Sequence, residues 1–172
     1  MILRIAFYKN KELLRDRFIR WWTRSRYSHV ELAIPNGGGW IGIYPPHNPV
    51  VKLNKADIYK ESDWDFISIP ITDNQLKIIL DFYEETKGQS YDWIGMLLSH
   101  ITPFKIRRIN KWYCSEWVAY ALSLSGVIEW RNLALYKTNR LPPQKLYDAL
   151  ICQAEVLPAY WVDASDNTRY ID

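Results

Sequence analysis

Cys114 stands in WYCSEWVAYAL, residues 112–122, between bulky aromatics and where a helical pattern begins. A thiol attacks as its thiolate, and a helix N-terminus favours the thiolate through oriented N–H groups and the macrodipole. The preceding FKIRRINKW adds Lys105, Arg107, Arg108 and Lys111, cations that act in the same direction. Free cysteines are also among the most buried and inert residues. Cys152 fits that description fully, at an apolar helix end without cations. Ser115 lacks the glycine elbow that would mark it as a nucleophile.

A nucleophilic thiol needs a base, and the chain has three histidines, His29, His47 and His100. His29, in YSHVELAI, lies on a strand and is the best held. His47 sits in the proline-flanked loop YPPHNPV, and His100 closes an apolar helical stretch. Glu31 is two residues from His29 and shares its strand face. It either orients the imidazole or lines the cleft, and Tyr44 and His47 are the other candidates for the orienting role. Tyr27 or Tyr91, with the backbone N–H of Cys114, would serve a developing oxyanion. Asp92 reads as a helix-start acid and Glu116 as a surface or supporting group.

The elements that must position these residues follow from periodicity. ILRIAFY reads as a buried strand, and YSHVELAI, PNGGG and WIGIY read as a hairpin. PVVKL and WDFISIPI supply two more strands. NKELLRDRFIRWW spaces Leu14, Phe18, Trp21 and Trp22 as a helix does, with Asn10 as a possible cap. TDNQLKIILDFYEETKG carries Thr72 and Gln75 at capping-box spacing and ends on Gly88. YDWIGMLL reads as a short helix. CSEWVAYALSLSG places Val118, Ala121, Leu122 and Ser125 on one stripe and ends on Gly126, and LPPQKLYDALI is a last helix opened by proline. Strands first and helices after them predict an α+β domain. Residues 1–172 form one domain, with 159–172 a loosely held tail.

SRYSHVELAI and KWYCSEWVAYAL, with GQSYDWIG and LPPQKLYDAL, resemble the circularly permuted papain-like cysteine hydrolases of the NlpC-type superfamily. That superfamily includes cell-wall peptidases and lecithin–retinol acyltransferase-like proteins. In the permuted branch the histidine strand precedes the cysteine helix, as here, and the matching parts span about Ile2 to Leu150. The aromatic-rich wording also resembles small proteins of tailed bacteriophages. The resemblance implies a papain-like fold, a mostly antiparallel sheet packed on the nucleophile helix. It assigns Cys114 as nucleophile, His29 as base, and no cofactor or metal. Tyr27, Tyr91 and Trp93 would line the substrate groove. The implied activity is thiol hydrolysis or acyl transfer on a peptide, peptidoglycan or lipid-like substrate. A virion component that kept the fold without catalysis is the competing expectation.

Composition narrows the partners. A net charge of +3 on 172 residues does not suggest nucleic acid, for which Lys105 to Lys111 is the weak case. Two widely spaced cysteines make neither a disulfide framework nor a zinc site. No secretory signal or membrane-spanning run is evident, so the expected location is cytoplasmic or within a viral particle. Nine Trp and twelve Tyr are a heavy aromatic load, and aromatics line both cores and recognition grooves. ELLRDRFIRWWTRSR has a cationic side, Arg15, Arg17, Arg20 and Arg24, suited to an anionic polymer or membrane. The plainer expectation is a solvated helix whose aromatics face the core.

Overall fold

A computed structural model describes residues 1–10, 14–43, 50–55, 60–92, 111–128, 141–156 and 162–163. In chain order the elements are β1 (Ile2–Tyr8), α1 (Leu14–Thr23), β2 (His29–Ala33), β3 (Trp40–Gly42), β4 (Lys52–Asn54) and β5 (Trp64–Pro70). They continue with α2 (Asp73–Thr86), β6 (Ser90–Tyr91), β7 (Lys111–Trp112), α3 (Cys114–Leu124), α4 (Pro143–Val156) and β8 (Val162–Asp163). The architecture is α+β. The antiparallel sheet runs β4-β3-β2-β1-β5, and the two-residue β8 adds to the β5 edge. Part of the stretch expected to be a loose tail is therefore an edge strand. β6 and β7 form a separate two-residue parallel pair.

Directly opposed residues of an antiparallel pair share a face. The register Tyr8↔His29, Ala6↔Glu31 and Arg4↔Ala33, with Ala6↔Phe66 and Tyr8↔Trp64, defines one face of the sheet. Ala6, Ala33, Trp40, Trp64 and Phe66 form a small aromatic core on it. The alternate residues, Leu3, Ile5, Phe7, Val30, Leu32, Ile41 and Ile67, enter the main core. Trp117, Val118, Ala121 and Leu122 of α3 belong to that same core, so α3 covers the face opposite His29 and Glu31. The β2–β3 turn takes left-handed backbone at Asn36, Gly37 and Gly39, which explains PNGGG.

α2 starts as its sequence predicts. The Thr72 hydroxyl accepts from the Gln75 N–H, and the Gln75 carbonyl accepts from the Thr72 N–H. Phe82 of α2 stacks on Trp117, at 5.3 Å between ring centres, and the Trp117 indole donates to Thr86 Oγ1. α1 departs from expectation. Its buried stripe is Asp16, Ile19 and Thr23, while Leu14, Phe18 and Trp21 are exposed by 79%, 48% and 72%. Phe18 and Trp21 therefore face away from the core, and Trp22 is half-buried. YDWIGMLL falls outside the described residues from Trp93 onward.

Candidate active site

β2 begins at His29 and α3 begins at Cys114, and the two side chains meet there. The imidazole and the Cys114 sulfur are joined by a hydrogen bond and by charge. His29 Nε2 lies 2.9 Å from Glu31 Oε1. Because α3 packs on the opposite face, the contact is made at the end of the sheet.

The site is nearly closed. Cys114 is 4% exposed, His29 2% and Glu31 0%. Burial is the largest single influence on His29 and works against its charge. The Cys114 sulfur, by charge and hydrogen bond, and Glu31 together outweigh it and raise the imidazole to about 10. Tyr113, the residue before α3, makes no side-chain cap to the helix. Cys114 is the first residue of the helix, where the macrodipole is positive.

Glu31 reaches His29 because its neighbours are small. Ala6 stands opposite on β1. On the other side Leu32 pairs with Ile41, so Glu31 faces Gly42. A Cβ at Gly42 would come 2.4 Å from Glu31 Cγ and 2.8 Å from Oε1. The missing side chain is what lets the carboxylate lie there.

One short segment holds both halves of the site. Ser115 Oγ donates to the Leu141 carbonyl, and the Leu141 backbone also bonds the Tyr113 hydroxyl. Three residues on, the Gln144 N–H donates to Ser25 Oγ, and Gln144 Oε1 accepts from the Arg26 N–H. The start of α4 therefore brackets the start of α3 and the approach to His29. No sequence motif marks Gln144 for this role.

The other expected site residues fare differently. Tyr27 does not line a groove: it is fully buried, packed on Phe7 and Tyr147, and its hydroxyl donates to Asp65 Oδ2 at 2.8 Å. Burial, then that bond, raises its pKa. Asp65 is further paired with Lys9 and Arg26, so Tyr27 belongs to a structural ion cluster and not to an oxyanion site. Tyr91 is also buried within the main core. Glu116 and Asp92 are buried, so Glu116 is no surface group. Tyr44, His47, Trp93 and His100 lie outside the described residues, as do Lys105, Arg107 and Arg108. Cys152 is exposed.

Among the described residues, no cluster of three His, Cys, Asp or Glu side chains is suited to a metal ion, and no helix is long and apolar enough to cross a membrane. No family model, curated protein or solved structure matches the chain.

Proposed function

We propose that the protein is a thiol hydrolase or acyltransferase of the permuted papain-like kind. The observation that carries this reading is His29 held between the Cys114 sulfur and the Glu31 carboxylate. An imidazole that holds its proton well above the usual histidine range, beside a thiol at a helix start, suits nucleophilic attack by that thiol. The thiolate attacks an amide, ester or thioester carbonyl. The backbone N–H of Cys114 then stabilises the oxyanion. His29 gives its proton to the leaving group, then takes one from the water or other acceptor that releases the acyl group. Glu31 keeps the ring aligned and its charge balanced. The substrate class is a peptide, a peptidoglycan stem peptide or a lipid-like acyl ester.

The test is acylation by an activated ester, followed by intact and peptide mass spectrometry. One acyl group should appear on Cys114, vanish in Cys114→Ser and form far more slowly in His29→Ala. Acylation confined to Cys152, or unaffected by His29→Ala, would reject catalysis. The closure of the site favours a second reading, a silent binding or structural module. That reading requires Cys114 to remain unmodified in the folded protein and to react only after unfolding.

A further inference from the structure

Leu14, Phe18 and Trp21 repeat at helical spacing along the outer face of α1, and all three are exposed. The Phe18, Trp21 and half-buried Trp22 rings pack on one another, with centres 5.9 to 6.1 Å apart. Arg17 and Arg24 are exposed alongside them. The one acid of the helix, Asp16, is turned inward and buried. The inner side is anchored independently: Arg20 donates to the Lys9 carbonyl at 2.7 Å, and Ile19 and Thr23 are buried. The exposed face is thus a Trp-Phe-Leu stripe bordered by cations, on a helix fixed to the domain from behind.

We propose that this face of α1 docks on an anionic lipid membrane, with the stripe inserted at the headgroup boundary and the arginines on lipid phosphates. Tryptophan and phenylalanine suit that boundary, and an apolar stripe with arginines is the pattern of helices that lie in it. Among the described side chains of residues 14–24 the exposed charges are cations, which complement a uniformly negative surface. The Phe18 and Trp22 rings stack on each other, unlike the splayed rings that stack nucleic-acid bases. Five residues separate Thr23 from His29, at most about 20 Å of chain. Docking would therefore hold the start of β2 close to the membrane. The inference stands apart from the chemistry of Cys114.

Flotation of the purified protein with vesicles tests it. Phosphatidylcholine vesicles containing phosphatidylglycerol should carry the protein; pure phosphatidylcholine should carry much less, and added salt should weaken binding. Trp21→Ser and the double variant Phe18→Ser/Trp21→Ser should each lose at least about tenfold in partitioning with unfolding curves close to the parent. Arg17→Gln/Arg24→Gln should lose the preference for the anionic lipid. Cys114→Ser should bind as the parent does, which separates this test from that of catalysis. No binding to the anionic vesicles, or binding that survives the double variant, overturns the proposal. Self-association that the double variant abolishes, without vesicle binding, overturns it in favour of a contact between protein copies.

Discussion

Helices α1 and α3 are both rich in aromatic residues and use them in opposite ways. Trp117 of α3 is fully buried against Phe82, while Trp21 of α1 is largely exposed. On α3, Cys114 through Ala119 are all buried, including Ser115 and Glu116. α1 buries one narrow stripe and leaves its more apolar side in water. Surface that is apolar and yet exposed signals contact with something else. The two helices thus divide the work: one builds the core and presents the thiol, the other presents a surface.

The sharpest way to break this contrast is truncation of one tryptophan on each helix. Trp117→Ala removes a stacked ring and an indole hydrogen bond from a closed core, and should cost about 3–5 kcal/mol of stability. Urea unfolding gives the number. A loss below about 1 kcal/mol would mean that α3 is not packed as described.

Gly42→Ala tests the face opposite α3. Alanine usually favours a strand over glycine, but the added Cβ would collide with the Glu31 side chain. The collision should win, with a cost of roughly 1–3 kcal/mol and loss of the His29–Glu31 hydrogen bond. Urea unfolding and the His29 ring resonances report the two effects separately. A neutral Gly42→Ala with unchanged His29 signals would show that Glu31 has room to spare.

Cys114→Ser removes the sulfur that acts on His29. Burial then meets only Glu31, so the imidazole should titrate well below 10 when followed by NMR. The folded value lies above the ordinary 6.5, so the proton on His29 favours the folded state. That contribution is complete below about pH 6.5 and is lost as the pH rises through about 10. The parent should accordingly lose more stability across this range than Cys114→Ser. Equal pH profiles would mean that sulfur and ring are not coupled.

Ser115→Ala asks whether the bracket from α4 matters. It leaves the buried Leu141 carbonyl short of one donor, a loss of about 1–2 kcal/mol. Gln144→Ala cuts the other arm, towards Ser25 and Arg26. If both arms position the site, each variant should slow acylation of Cys114 by more than its stability loss explains. Unchanged acylation in both would leave the bracket a purely structural device.

Local signals carried much of this structure. The Thr72/Gln75 box and the period-two relation of His29 to Glu31 are short-range, and both elements formed as their spacing implied. What failed was long-range. Periodicity offers two stripes for α1, and the more apolar one is the natural choice for the core. The stripe that packs contains an acid and a threonine, whose burial depends on partners elsewhere in the fold. Tyr27 reads equally well as a groove residue or a core residue until Asp65 is found beside its hydroxyl. The clearance at Gly42 becomes visible only when β3 is aligned with β2. The meeting of Cys114 and His29 at the sheet's end depends on which face α3 covers, and alternation does not specify that.

The smallest expected effect completes the comparison. Trp21→Ser removes as large a side chain as Trp117→Ala, but from a position already mostly in water. It should change the unfolding free energy by less than about 0.5 kcal/mol, the usual range for surface positions. The sign itself is informative. Phe18 and Trp22 lose a ring neighbour, which favours a slight loss. Less apolar surface is left exposed, which should raise solubility at high concentration. A cost of several kcal/mol would place Trp21 inside a packed interface of the free protein. The contrast between α1 and α3 would then disappear, and with it the free surface that membrane docking requires.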